Sequence, residues 1–125
     1  MTRLADDGDP RPDPGRGHRW VDNHCHLDGE ADAAAVVSEA RAAGVAALVT
    51  VGTDAARSQA CVELATELDG VWATAGVHPH DAVAGTGALV ELVDSVLASP
   101  GHRLVAVGEC GLDYDRDFSP RDVQR

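Results

Sequence analysis

The stretch Val45-Ala46-Ala47-Leu48-Val49-Thr50-Val51 reads as a continuous apolar strand with Gly52 directly behind it. A strand with one wet face alternates apolar and polar residues. A run without alternation belongs in a parallel sheet covered on both faces. Upstream, Ala31–Ala43 carries Val36, Val37 and Ala40 on one side, with Gly44 where a helix C-cap belongs. Downstream, Thr53 or Asp54 can cap a helix running to about Leu68, closed by Asp69-Gly70. The same alternation extends both ways. Trp20–Asn23 predicts a first strand and Val71–Ala75 a third. Leu89–Leu97 is the apolar part of a third helix, stopped by Ser99-Pro100-Gly101, and Leu104–Val107 predicts a fourth strand. Ser119-Pro120-Arg121-Asp122 reads as a fresh helix start, with a cap, Pro in the first turn and an acid behind it.

Strand starts near Val21, Val45, Val71 and Leu104 lie about 24 to 33 residues apart. That period means successive βα units and an α/β fold with a parallel sheet. A doubly wound sheet and a (β/α)₈ barrel both fit four units. No Gly-x-Gly-x-x-Gly follows any strand, which weighs against dinucleotide binding. A complete barrel needs about 250 residues, so 125 residues supply about the first four βα units. The expectation is a truncated barrel with one flank of its sheet unpaired. Residues Met1–Arg19, with Pro10, Pro12 and Pro14 among Gly, Asp and Arg, predict a disordered tail, leaving 20–125 as the structured part.

The formal charge is −11, which argues against a long basic footprint on nucleic acid. Hydrophobic content of 44% with only 3% aromatics predicts a core of Ala, Val and Leu. No apolar run approaches a membrane span, and the acidic, Pro-rich start is unlike a signal peptide, so a cytoplasmic protein away from membranes is expected. No stable protein partner is predicted. Cys25, Cys61 and Cys110 are odd in number and far apart, so they read as packing residues and not as a disulfide scaffold, with reactive thiols as the alternative for Cys25 and Cys110.

The polar residues gather just after the strands. In an extended backbone His24 and His26 face the same way and Cys25 faces away. Two imidazoles so placed can ligate one divalent metal, or can simply belong to a solvated loop. His78 after the third strand, taken alone, reads more readily as a loop or turn histidine, with Pro79 and His80 as solvated loop chemistry. Glu109 closes the fourth apolar run between Gly108 and Gly111, where a carboxylate needs a cation or hydrogen-bond donors. Strand ends are where catalytic groups collect in parallel α/β folds. Together His24, His26 and Glu109 make a partial metal site.

Asp22-Asn23-His24-Cys25-His26-Leu27-Asp28, then Gly76-Val77-His78-Pro79, then Gly108-Glu109-Cys110-Gly111-Leu112-Asp113-Tyr114, resemble in order and spacing the TatD family of metal-dependent hydrolases. Arg116–Gln124 resembles the stretch that follows in that family, so the likeness covers about Trp20 to Arg125. It implies a (β/α)₈ barrel that hydrolyses phosphodiester bonds, with DNA as substrate and two divalent ions (Mg, Mn or Zn) as cofactors. It implies that His24 and His26 bind one ion, that Glu109 bridges to a second, and that His78 faces the substrate phosphate. Asp113 receives no firm role. The family's other ligands, two histidines and an aspartate that also serves the attacking water, come from later strands. The catalytic aspartate is therefore absent from this chain, and no activity is expected of the chain alone. An amide or ester hydrolase on the same scaffold, or a non-catalytic remnant, are the competing expectations.

Overall fold

Residue choice places each element boundary. The computed structural model describes residues 19–125; the expected disordered tail falls outside the described residues apart from Arg19, which lies in no regular element. Strand β1 runs over Trp20–Cys25 and helix α1 over Ala33–Ala42. Helix α1 starts later than the composition suggests because Asp32 caps it, its carboxylate accepting the Ala35 N–H at 2.9 Å. It ends at Gly44, whose φ of 97° only glycine takes without strain. Strand β2 is Val45–Val51 and helix α2 is Ala55–Glu67. Of the two candidate caps, Asp54 serves, accepting the Arg57 N–H at 2.7 Å. Strand β3 (Val71–Ala75), helix α3 (Gly87–Leu97) and strand β4 (Leu104–Val107) follow.

The four strands are parallel and lie in sequential order β1-β2-β3-β4. A doubly wound sheet reverses its strand order at a switch point; this one does not. With right-handed crossovers, sequential order puts every connecting helix on one face, which is the wall of a barrel. Register between β2 and β3 is regular, pairing Leu48 with Val71 through Val51 with Thr74. The outer pairs each slip, and among the described residues both edges are open. The sequence predicted one bare flank; among the described residues there are two, exposing Val21 on β1 and Val105 and Val107 on β4.

Helix α2 is the centre of the packing. Its Cys61 and Ala65 are fully buried against Leu48, Val71 and Ala73 of the sheet and Leu27 and Val37 beyond. Small side chains let the helix approach the sheet closely, as the aromatic-poor composition requires. A second cluster joins Ala75, Leu89 and Leu104. The predicted helix at Ser119 is not formed. Residues 120–124 make a single turn, with the Pro120 carbonyl accepting from Val123 and Gln124. Ser119, expected to cap it, instead turns its buried hydroxyl to donate to the His80 carbonyl at 2.7 Å. Among the described residues no helix is long and apolar enough to cross a membrane.

Leu48 is 3% exposed at the heart of this packing and Val105 is 55% exposed. Leu48→Ala is expected to cost about 2–5 kcal/mol, while Val105→Ala should stay within about 0.5 kcal/mol. Urea unfolding of the two variants checks the contrast; equal losses would place the core elsewhere.

Candidate metal centre

Three strand ends converge on one small region. At the end of β1 the Asp22 carboxylate accepts the His24 N–H at 3.1 Å, where the pairing of β1 with β2 slips. Cys25 turns inward and its thiol donates to the Val49 carbonyl at 3.4 Å. Burial, with Asp22 nearby, pushes that thiol up to about 11, so it stays protonated at neutral pH. His24 and His26 stay on the other side, with ring centroids 5.3 Å apart. The loop beyond them is pinned by the Leu27 N–H, which donates to the buried Thr50 hydroxyl at 3.1 Å.

His26 Nδ1 lies 3.0 Å from the Val51 carbonyl. A carbonyl only accepts, so Nδ1 carries the proton and Nε2 keeps a free lone pair. Metal-binding histidines commonly use their second nitrogen this way.

Glu109 arrives from β4. Its N–H donates to the Gly52 carbonyl at 2.9 Å, the Gly108 N–H to Ala75 at 2.9 Å, and the Thr74 hydroxyl to the Gly108 carbonyl at 2.6 Å. Gly76 at the end of β3 makes this crossing possible: a Cβ there would stand 2.3 Å from Gly108 C and 2.5 Å from Glu109 N. Buried Ser58 of α2 accepts the Gly76 N–H at 3.1 Å and fixes that passage. The Glu109 carboxylate then divides, one oxygen 3.4 Å from His24 Nε2 and the other 3.6 Å from His78 Nε2.

The ligand atoms of His24, His26 and Glu109 all lie within 4.8 Å of one another. Two ligands at about 2.1 Å from one ion can be at most about 4.2 Å apart, so modest side-chain rotation closes the set. Two imidazoles and a carboxylate suit zinc, manganese or magnesium better than a soft ion. His78 is prepared differently. Its Nδ1 accepts the His80 N–H at 3.2 Å, which leaves the proton on Nε2. His78 therefore presents a donor where His26 presents a lone pair.

His80 is not the solvated loop group the sequence suggested. It is half-buried, stacks edge-on with His78 at 4.3 Å and with Phe118 at 4.7 Å, and its Nε2 is 2.6 Å from Asp113. The backbone N–H groups of Arg116 and Asp115 donate to Asp113 as well, and with His80 they hold its carboxyl well below the usual range. Gln124 clamps the Asp113 backbone from both sides. Asp113, unassigned by sequence, thus orients His80. The repeated His-x-His spacing at 78 and 80 was the available signal; its partner 33 residues away was not. The four histidines and Glu109, with Thr53, Arg57 and Asp81, line an open cleft of about 460 Å³.

The site residues lie within a stretch that resembles known proteins. The family model described as TatD related DNase matches residues 21–125. The chain is 43% identical over 89 residues to the 3'-5' ssDNA/RNA exonuclease TatD of Klebsiella pneumoniae (strain 342), covering 71% of this chain and 33% of that protein. The protein of the same name from Escherichia coli (strain K12) matches equally, 43% identical over 89 residues, with 34% of its length covered. The chain spans about a third of the length of these curated relatives. Among solved structures, a TatD family hydrolase from Entamoeba histolytica superposes with a TM-score of 0.71 at 22% identity, covering 85% of this chain and 42% of that one. A TatD homologue from Escherichia coli gives 0.62 at 28% identity, covering 85% and 45%.

The Asp113 arrangement has a measurable signature. A carboxyl held low in the folded state stabilises above its unfolded value of about 3.9, and that stability drains away as pH falls below it. Thermal unfolding of wild type and Asp113→Asn should therefore differ most near neutral pH, with the gap narrowing between about pH 4 and pH 2. A gap that widens on acidification would contradict the geometry.

Proposed function

The chain belongs to the TatD-related DNase family, and from that premise we propose that it contributes the first half of a divalent-metal site that hydrolyses phosphodiester bonds in single-stranded nucleic acid, DNA foremost. The observation that carries this reading is the convergence of His24, His26 and Glu109, with their ligand atoms within 4.8 Å and the His26 Nε2 lone pair left free by Val51. His24 and His26 would hold one ion, and Glu109, whose two oxygens face different histidines, would reach toward a second. Bound divalent ions would supply charge stabilisation at the phosphoryl oxygens.

The chain's own residues do the rest that this half can do. His78 offers its Nε2–H to a non-bridging oxygen of the substrate phosphate. The His80 N–H on its Nδ1 keeps that proton on the cleft side. Asp113 holds His80, and so the wall behind His78, in one orientation. The remaining ligands and the aspartate that serves the attacking water lie on later strands of the family's barrel, outside these residues. The proposed unit is thus residues 20–125 as the N-terminal part of a barrel acting in the cytoplasm.

Isothermal titration of the chain with Mn²⁺ and Zn²⁺ tests the reading. His24→Ala and Glu109→Gln should each weaken binding by at least about tenfold. A metal-loaded chain should also retain a 3′-labelled single-stranded oligonucleotide that EDTA releases. Unchanged metal affinity in both variants would sink the assignment.

A further inference from the structure

Arg57 is the single Arg or Lys among the described residues lining the cleft, which otherwise presents histidines, Glu109 and Asp81. It stands in the first turn of α2, and its side chain is 55% exposed. One N–H, from Nη1, donates to Asp28 Oδ2 at 2.9 Å, and Nε stands 3.8 Å from Asp54. Asp28 is the unusual member. Its side chain is only 3% exposed, and its second oxygen has no hydrogen-bond partner among the described residues. A staple built only for stability would use both carboxylate oxygens in the bidentate fork that arginine favours. Here one contact tethers the guanidinium and leaves most of its five donors for the cleft.

Charge makes that exposed cation consequential. The chain carries −11, so a polyanion gains attraction only where a cation is held locally. His78 accounts for one phosphate at the metal. Arg57 is a second, separate donor group lining the same cleft.

We propose that Arg57, tethered by Asp28, takes the phosphate neighbouring the one at His78, and so makes the cleft selective for oligonucleotides over mononucleotides. This rests on the nucleic-acid reading given above. A tethered planar guanidinium loses less freedom on contact than a loose one, so the tether raises the worth of the contact.

The test uses the full chain loaded with Mn²⁺, a fluorescein-labelled oligothymidylate and thymidine 5′-monophosphate as competitor, followed by anisotropy across a salt series. Replacing one phosphate contact should flatten the dependence of log K on log salt by about 0.7. Arg57→Gln is expected to show that loss with mononucleotide affinity unchanged, and Arg57→Lys to keep the wild-type slope. Because Arg57→Gln orphans a buried carboxylate, the double variant Asp28→Asn/Arg57→Gln is measured beside it and should lose the same slope. A lowered melting temperature with an unchanged slope would make Arg57 a staple only and overturn the inference. So would mononucleotide affinity falling as far as oligonucleotide affinity. If the metal-loaded wild type binds neither ligand, the nucleic-acid reading itself fails; metal binding with a normal slope in Arg57→Gln would overturn the arginine assignment alone.

Discussion

The site depends on one backbone crossing, the Glu109 N–H reaching over β3 to the Gly52 carbonyl at 2.9 Å. Three consecutive strands must end almost level for that bond to form, and the one between them must offer no side chain. Gly76 meets the second condition, since any Cβ would overlap the Gly108–Glu109 backbone. Ser58 holds Gly76 from the helix side and Thr74 holds Gly108 from the strand side. The carboxylate is thus delivered by main-chain geometry, not by a flexible side chain searching for its partners. Preorganisation of that kind is what a metal site needs, because ligands that must first be ordered subtract from affinity.

Within the site, identical side chains acquire opposite chemistry from backbone partners. Val51 offers His26 a carbonyl, and His80 offers His78 an N–H. One ring is left with a lone pair and the other with a proton, both on Nε2. No charged residue is spent on the distinction. It comes from where each histidine falls relative to the end of its strand: His26 beside the neighbouring strand, His78 at the mouth of a 3₁₀ turn over Pro79–Ala84.

What the sequence revealed follows the range of the forces involved. Strands β2, β3 and β4 have the predicted limits because apolar runs meet Gly, Asp and Pro at their ends, a local signal. The Asp32 and Asp54 caps are local too, three residues from the N–H groups they bind. The pairing of His24 and His26 was legible from period-two geometry, and Glu109 from the oddity of a carboxylate closing an apolar strand. Asp113 with His80, 33 residues apart, and Asp28 with Arg57, 29 apart, were not. No period links such pairs; they meet only after the sheet has formed. Ser119 misled for a related reason. Its local pattern favoured a cap, but a tertiary contact with His80 and Val83 claimed the hydroxyl.

Cys25 sits between His24 and His26 with its thiol turned into the core and its proton retained. Only the thiolate attacks peroxides and disulfides, so this protonated, inward-facing sulfur is a poor nucleophile despite its address. The consequence is redox insulation of this one sulfur. At the end of β1 the groups left facing the cleft are imidazole nitrogens, a poorer match for copper(I) and other thiophilic ions than a thiolate would be.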